Sequence, residues 1–228
     1  MKKIINELKD TMKVIPSWII VVYCISIAVM NLLANKSINL PYEWLALDCG
    51  IIVSWIIFLV MDIVVKKYGA KKSIYLSVIA ILASAGVSIL FFLGSVIPGL
   101  WGESFTFIES QDLVNTALDN TMKGNWFIIF GSALAFFIST IVNAITNNLI
   151  GKKVKDDFKG FTVRSYISTL IGQITDNFVF ALVVSHTLFG WSLIQCITCS
   201  LTGAVVEALF ELLFIPLGYK VVNSKKLK

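Results

Sequence analysis

Long apolar stretches recur along the whole chain, and they constrain its fold more strongly than any other feature of the sequence. The six that are long enough to cross a bilayer are 17–34, 44–65, 73–98, 126–150, 164–188 and 192–218. A hydrocarbon core about 30 Å thick requires roughly 20 apolar residues in a helix. Because lipid offers no hydrogen bonds to backbone amides, each stretch is expected to be helical. The sequence therefore predicts an all-α integral membrane protein with six transmembrane helices.

The composition argues against a soluble globular domain. Hydrophobic residues make up 57% of the 228 residues and charged residues only 14%, whereas soluble domains are about 45–50% apolar and about 25% charged. A soluble domain of this length has no interior large enough to hide so much apolar surface. We expect a single transmembrane domain over 17–218 and no separate soluble domain.

The lysines and arginines predict the orientation of the helices. All but two of the 19 basic residues fall in the leader 1–16, in the second and fourth connections, or in the tail 219–228. The exceptions are Lys36 and Lys123. By the positive-inside rule both termini are cytoplasmic, in a multi-pass protein of the plasma membrane. The excess positive charge is attributed to this orientation and to anionic lipid head groups, and not to nucleic acid.

The basic leader 1–16 admits two interpretations. Its apolar residues Ile4, Leu8 and Met12 recur at near-helical spacing between lysines. Such a pattern is typical of a helix that lies on the inner membrane surface. A solvated leader fits the same residues equally well.

The outer side of the predicted bundle carries one long loop, 99–125. Leu113, Ala117 and Leu118 favour a short helix within it, over the outer mouth of the bundle. Tryptophans near predicted span ends are expected to anchor the helices at the membrane interface. They are Trp18, Trp44, Trp126 and Trp191.

Acidic residues inside the predicted spans are the strongest indication of a functional site. Each costs roughly 2.5–3.5 kcal/mol at the centre of a membrane helix, so it usually faces a cavity or a partner. Gln173 and Asp176 share one face of the fifth stretch, and Glu207 and Glu211 lie one turn apart in the sixth. The depth of Asp176 and Glu207 favours a substrate site near the bilayer midplane. A structural hydrogen bond to another helix is the alternative for each.

Four more polar residues are candidates for the same site. Asn31 and Asn35 lie toward the outer end of the first stretch, and Asp62 lies near the inner end of the second. Asp62 fits an interfacial pair with a lysine as well as a substrate site. Arg164, about 18 Å below Asp176 at 1.5 Å per residue, fits either a topology charge or a partner of an inner acid.

Other polar residues in the spans favour structural roles. Asn, Ser and Thr in membrane helices often only hydrogen-bond to neighbouring helices, and Asp48 fits a place among the head groups. The packing stripes are Ser139, Asn143 and Asn147 in the fourth stretch, and Ser77, Ala80, Ser84 and Ser88 in the third.

Nothing in the sequence indicates an enzyme, a metal centre or a cofactor. There is no Walker motif, no H-E-x-x-H and no G-x-S-x-G. The pair Cys196 and Cys199 has redox-like spacing but no basic neighbour to lower a thiol pKa, so helix packing is the favoured role. The acids also lie at several depths and do not converge on a nucleophile. An intramembrane enzyme is therefore the least favoured class.

The order and spacing of four segments resemble the VUT family of integral membrane proteins, the YhhQ-type queuosine precursor transporters. The segments are NLLANK (31–36), MDIVVKKYGAKKS (61–73), RSYISTLIGQITD (164–176) and ELLFIPLGY (211–219). Within them Asp62, Tyr68 and Gly69 match the family pattern after the second span. Gln173 and Asp176 match its Gln-x-x-Asp, and Glu211 and Pro216 match its closing Glu-x-x-x-x-Pro. Ile56, Lys66 and Glu207 differ from the residue types that are common at these positions of the family: proline, an acid and a base, respectively. These differences mark a divergent member.

The resemblance implies import of 7-deazaguanine precursors of queuosine (preQ0, preQ1 or queuine) for tRNA queuosine salvage. Such a base presents an N–H beside an exocyclic amine, which one carboxylate such as Asp176 accepts in two hydrogen bonds, while Gln173 reads a carbonyl. Phe178, Phe180 or Trp55 is expected to stack on the ring. The alternative is the substrate-capture subunit of an energy-coupling-factor transporter, which needs a separate ATPase. Subunits of that class often carry an Ala-x-x-x-Ala docking motif in the first span. In this chain Leu32 stands four places after Ala28, which favours a stand-alone carrier.

Overall fold

The computed structural model describes residues 2–102, 107–153 and 158–223, and over these ranges the chain is helical with no β-strand. The helices are α1 Lys2–Val14, α2 Ser17–Leu33, α3 Ile51–Tyr68, α4 Ala70–Val96, α5 Gln111–Gly151, α6 Phe158–Phe180, α7 His186–Phe189 and α8 Leu193–Asn223. A 3-10 turn, Ile108–Ser110, precedes α5, and a π-helical turn, Ala181–Ser185, joins α6 to α7. The predicted all-α fold is confirmed.

Proline and glycine mark two sharp breaks between helices. Pro16, with φ −54°, separates α1 from α2, and the two helices are bent by 113°. A proline ring fixes φ and removes one backbone donor, so it suits the start of a new helix. Gly69 separates α3 from α4 and has φ 86°. Residues other than glycine rarely adopt this conformation.

Three helices in the described part of the chain are long and apolar enough to cross a membrane. They are Ala70–Val96, Ile108–Asn143 and Leu193–Phe210. A fourth span results if α1 and α2 together form one broken span. Large apolar side chains on these helices are exposed, including Leu90 on α4 and Leu213 on α8. A protein surface of this kind is suited to lipid and not to water.

Several helix bounds differ from the predicted stretches, including the start of α6 at Phe158 and the end of α8 at Asn223. The largest differences are the starts of α3 and α5. The second helix begins at Ile51 and not at residue 44, because residues 35–50 fold back on themselves through a bridge between Ser37 and Asp48. In the predicted outer loop 99–125, α5 already begins at Gln111. The segment around Leu113 is therefore continuous with the long helix and forms no separate cap.

The main apolar core lies between α2, α3 and α4. It includes Ile19 and Tyr23 from α2, Val64 from α3 and Leu76 from α4. The stripe predicted to pack α4 is confirmed, since Ser77, Ala80, Ser84 and Ser88 are all buried. Trp191, predicted as an interface anchor, is instead buried in a cluster with Ala181 and Cys196 and packs against Phe189, with ring centroids 5.6 Å apart.

The second half of the bundle is held by close helix approach. α5 packs along α6, and α8 packs against both α3 and α6. Gly131 of α5 faces the π turn, where an added Cβ would lie only 2.1 Å from Cγ2 of Val184. The absence of a side chain at Gly131 therefore sets the spacing between α5 and α6 just beyond Asp176.

Candidate functional site

A cavity of about 830 Å³ runs between α2, α3, α4, α5, α6 and α8. It extends from Asp48, just before α3, to Ala70 at the start of α4 and Lys152 after α5. Among the described residues its charged members are Asp48, Asp176, Glu207 and Lys152. Three of these four charged residues are acidic and lie in a lining that is otherwise largely apolar, and the one described cation lies beyond the last turn of α5.

Asp176 lies on the wall formed by α5 and α6. Its Oδ1 accepts a hydrogen bond of 2.9 Å from the hydroxyl of Ser139 on α5. The helical run from Phe158 to Phe189 is continuous through the π turn, so Asp176 lies near its middle. One donor among the described residues leaves most of the acceptor capacity of this carboxylate for a ligand in the cavity.

Glu207 lies in the middle of α8, and only 1% of its surface is exposed. Its Oε2 accepts a hydrogen bond of 3.2 Å from Nδ2 of Asn177 on α6. Gly203, one turn earlier on α8, makes room for that amide, because an added Cβ there would lie 2.9 Å from Asn177 Nδ2. Asn177 thus joins the two acidic helices, and it follows Asp176 directly in the chain.

Asp48, for which the sequence favoured a place among the head groups, lines the cavity wall. The backbone N–H of Gly50 donates a 2.8 Å hydrogen bond to its Oδ1. The folded-back segment that carries it is held by two backbone hydrogen bonds of 2.8 Å, from Ile38 to Leu47 and from Cys49 to Lys36. This loop geometry turns the carboxylate toward the bundle.

Three amide side chains add to the polar lining. Gln173 and Asn31 are each only 2% exposed. Asn31 donates to the hydroxyl of Ser84 at 3.2 Å, and its Oδ1 has no hydrogen-bond partner among the described residues. The Oδ1 of Asn143 is likewise buried without one. Unsatisfied buried oxygens in a cavity wall are suited to donors on a ligand or to water.

The aromatic residues that were expected to stack on a ligand lie in different places. Phe180 lines the cavity, as do Phe58 and Phe136. Trp55 is instead stacked on Phe214 of α8, with centroids 4.3 Å apart, outside the cavity lining. Phe178 packs against the separate apolar cluster around Trp191.

The structure brings four of the eight predicted site residues together in the cavity wall: Asn31, Gln173, Asp176 and Glu207. Asn35 lies elsewhere because α2 ends at Leu33, and its Nδ2 donates to Asn125 Oδ1 at 3.1 Å. The side chains of Asp62, Arg164 and Glu211 lie outside the described residues. Sequence reasoning missed Asn177, although its place beside Asp176 was the available signal, and it assigned Asp48 to another environment.

The described residues contain no cluster of three or more histidine, cysteine, aspartate or glutamate side chains with the geometry of a metal site. Cys196 and Cys199 are buried free thiols. Cys196 contacts the carbonyl oxygen of Ala181 at 3.5 Å, which fits the predicted packing role. The polar chemistry of the cavity therefore lies in its carboxylates, amides and hydroxyls.

Comparison with known proteins identifies one family. Residues 48–221 match the family model Vut_1, described as "Putative vitamin uptake transporter". The match covers α3 to α8, and thus all three carboxylates described in the cavity. No curated protein and no solved structure matches the chain.

Proposed function

The chain belongs to the vitamin uptake transporter family, and on this premise we propose that it imports 7-deazaguanine precursors of queuosine (preQ0, preQ1 or queuine). The imported base would feed queuosine salvage in tRNA. Transport of an unmodified molecule requires no bond to be made or broken. The role proposed for the cavity is therefore recognition and passage, not catalysis.

The proposal includes six membrane spans with both termini in the cytoplasm. The spans would be α2, α3, α4, α5, the helical run from α6 to α7, and α8. α2 has 17 residues. At 1.5 Å per residue it is about 26 Å long, which is close to the thickness of the hydrocarbon core. The lysine-rich segments then share one side, as the positive-inside rule requires.

The observation that supports the proposal most strongly is the pair of mid-helix acids in the cavity wall. Asp176 and Glu207 lie near the centres of long helical runs, and both line the same cavity. Acids at this depth are costly in lipid and are retained where a substrate or ion needs them. Their position supports a substrate site near the midplane, where transporters of many folds bind their cargo.

The chemistry of the wall favours a ligand with several donors. A 7-deazaguanine offers an N–H and an exocyclic amine side by side, which match the two oxygens of one carboxylate. Gln173 would read its carbonyl, and Phe180 would stack on the flat ring. The amine of preQ1 or queuine is cationic, so a second acid such as Glu207 would offset its charge. A cavity of about 830 Å³ also falls within the usual range of about 300–1,000 Å³ for small-molecule sites.

The second candidate function is the substrate-capture subunit of an energy-coupling-factor transporter for a small vitamin-like molecule. The small size of the chain and its family description support this class as well. Leu32, in the position where the usual docking step has alanine, favours a stand-alone carrier. Dependence of transport on a separate ATPase module distinguishes the two candidates, because only the second one requires such a module.

The test is complementation in bacteria that neither synthesise nor import queuosine precursors and that lack any coupling ATPase module. Cells expressing the chain receive preQ0, preQ1 or queuine separately at limiting concentration, and queuosine in tRNA is measured. We expect restoration by at least one precursor. Restoration only after a coupling module is added would favour the second candidate, and failure with all three in well-expressed protein would contradict the proposed substrate.

A further inference from the structure

Helix α1 has three distinct faces, and only one of them packs against the rest of the protein. At 3.6 residues per turn, Glu7, Asp10 and Thr11 share the face that lies against α4. Glu7 Oε1 lies 2.5 Å from Nζ of Lys71, and Asp10 pairs with Lys72. Thr11 is fully buried. These contacts fix the rotation of α1 about its own axis.

The second face of α1 is apolar and largely exposed. It is formed by Ile4, Ile5, Leu8 and Met12; Ile4 is 54% and Met12 is 47% exposed, and Leu8 is half-buried. On α2, the apolar side chains of Trp18 and Val21 are exposed as well. Because α2 turns away from α1 at 113°, an α2 that crosses the bilayer places α1 nearly parallel to the membrane surface.

The third face of α1 is basic and borders the apolar one. Lys2, Lys9 and Lys13 project on the side away from α4, and all three are exposed. Lys3 projects instead near the acidic face. The acids of α1 are already paired with Lys71 and Lys72 of α4, so the basic edge is available to an external anion.

We propose that α1 lies in the cytoplasmic leaflet as an interfacial helix, with Ile4, Ile5, Leu8 and Met12 among the acyl chains and the edge formed by Lys2, Lys9 and Lys13 on anionic lipid head groups. An apolar face beside a lysine edge is the combination that binds such a surface. A second copy of the chain fits less well, because two lysine edges repel each other. The ion pairs to Lys71 and Lys72 orient the helix, so these two α4 lysines bind α1 and not lipid.

The test compares amide hydrogen exchange of α1 in the full chain, reconstituted in nanodiscs of pure phosphatidylcholine or of phosphatidylcholine mixed equally with phosphatidylglycerol. We expect exchange in α1 to be slower in the anionic discs. Lys9→Gln should raise exchange there about fivefold, the factor for about 1 kcal/mol per lysine at an anionic surface. Its matched control is Lys3→Gln, which removes the same charge from the same helix and should change exchange less than about twofold.

A second pair of variants tests the apolar face. Ile5→Gln should accelerate exchange of α1 in both kinds of disc, whereas Leu113→Gln, at a residue of α5 that is 76% exposed, should leave α1 unchanged. Equal exchange in the two lipids, or equal effects of Lys9→Gln and Lys3→Gln, would overturn the proposal. Protection that rises with the number of chains per disc and not with anionic lipid would overturn it in favour of a second copy.

Discussion

The two walls of the cavity are built from different chemistry. The wall of α2, α3 and α4 carries the main apolar core, and two polar pairs join α2 to α4: Tyr23 with Ser77 at 2.8 Å and Nδ2 of Asn31 with Ser84 at 3.2 Å. The wall of α5, α6 and α8 carries Asp176, Asn177 and Glu207. We call these the hydroxyl wall and the acid wall.

The difference teaches that polar residues in membrane helices serve two purposes that look alike in sequence. A hydroxyl pair within the hydroxyl wall satisfies both partners and holds helices together. The carboxylate of Asp176, which has one neutral donor among the described residues, keeps acceptor capacity for a ligand, and a carboxylate is costly in lipid. We therefore expect changes in the acid wall to alter transport and changes in the hydroxyl wall to alter mainly stability.

The largest effect is expected from Asp176→Asn in the acid wall. The amide keeps the size of the side chain and still accepts from Ser139, but it loses the charge and one acceptor. Loss of a charged hydrogen bond of about 3 kcal/mol predicts roughly a 100-fold fall in substrate retention by cells. Expression and membrane insertion should stay normal, as measured with a fluorescent fusion. Normal uptake by this variant would rule out Asp176 as a substrate ligand.

The next effect tests how the acid wall is held in place. Gly131→Ala places a Cβ against Val184 in the π turn, and such overpacking costs about 1–3 kcal/mol. We expect a lower melting temperature in detergent, by several degrees, together with reduced uptake. Gly124→Ala is the matched control, because it lies on the same helix with no atom within 4 Å of the added Cβ. Equal melting temperatures for the two variants would contradict the close approach of α5 and α6.

A smaller effect is expected in the hydroxyl wall from Tyr23→Phe. The variant removes the hydroxyl that pairs with Ser77, while Ser77 keeps its donor bond to the carbonyl of Ser73. We expect about 1 kcal/mol less stability and uptake within about threefold of the original chain. A double-mutant cycle is completed by Ser77→Ala alone and by Ser77→Ala combined with Tyr23→Phe. Losses of stability that add up in the double variant would show that the two hydroxyls do not interact.

The smallest effect is expected outside both walls, at the acidic face of α1. The lysines of α4 lower the pKa of Glu7 through a hydrogen bond and charge attraction from Lys71, and that of Asp10 through Lys72. A carboxyl group whose pKa is lowered in the folded state stabilises the fold at pH values above its ordinary pKa, which is 4.5 for Glu7. This stabilisation is lost as the pH falls through the pKa of the folded state.

This last prediction is tested with the double variant that combines Glu7→Gln and Asp10→Asn. Its melting temperature is subtracted from that of the original chain at each pH. We expect a small positive difference near neutral pH that disappears in acid. A difference that grows as the pH falls would contradict the assigned ion pairs.

The sequence predicted the helices well because apolar runs report directly on burial in lipid. It also predicted that Gln173, Asp176 and Glu207 share a place, since helical periodicity and depth can be read from spacing. It did not indicate that Asp48 lines the cavity, because the position of that carboxylate depends on how residues 35–50 fold back. Asn35 was predicted to belong to the site because it lies toward the outer end of the first stretch, but α2 ends before it and its side chain binds Asn125. The hydrogen bond from Asn177 to Glu207 depends on α8 lying beside α6, which the sequence does not give.

The most direct test of the central claim is equilibrium binding of a labelled 7-deazaguanine base to the purified chain and to one variant of each wall. The account predicts saturable binding by the original chain and by Tyr23→Phe, and loss of binding by Asp176→Asn in protein that remains folded. Loss in Tyr23→Phe with retention in Asp176→Asn would contradict the division between the two walls. Absence of binding by the original folded chain would contradict the proposed substrate.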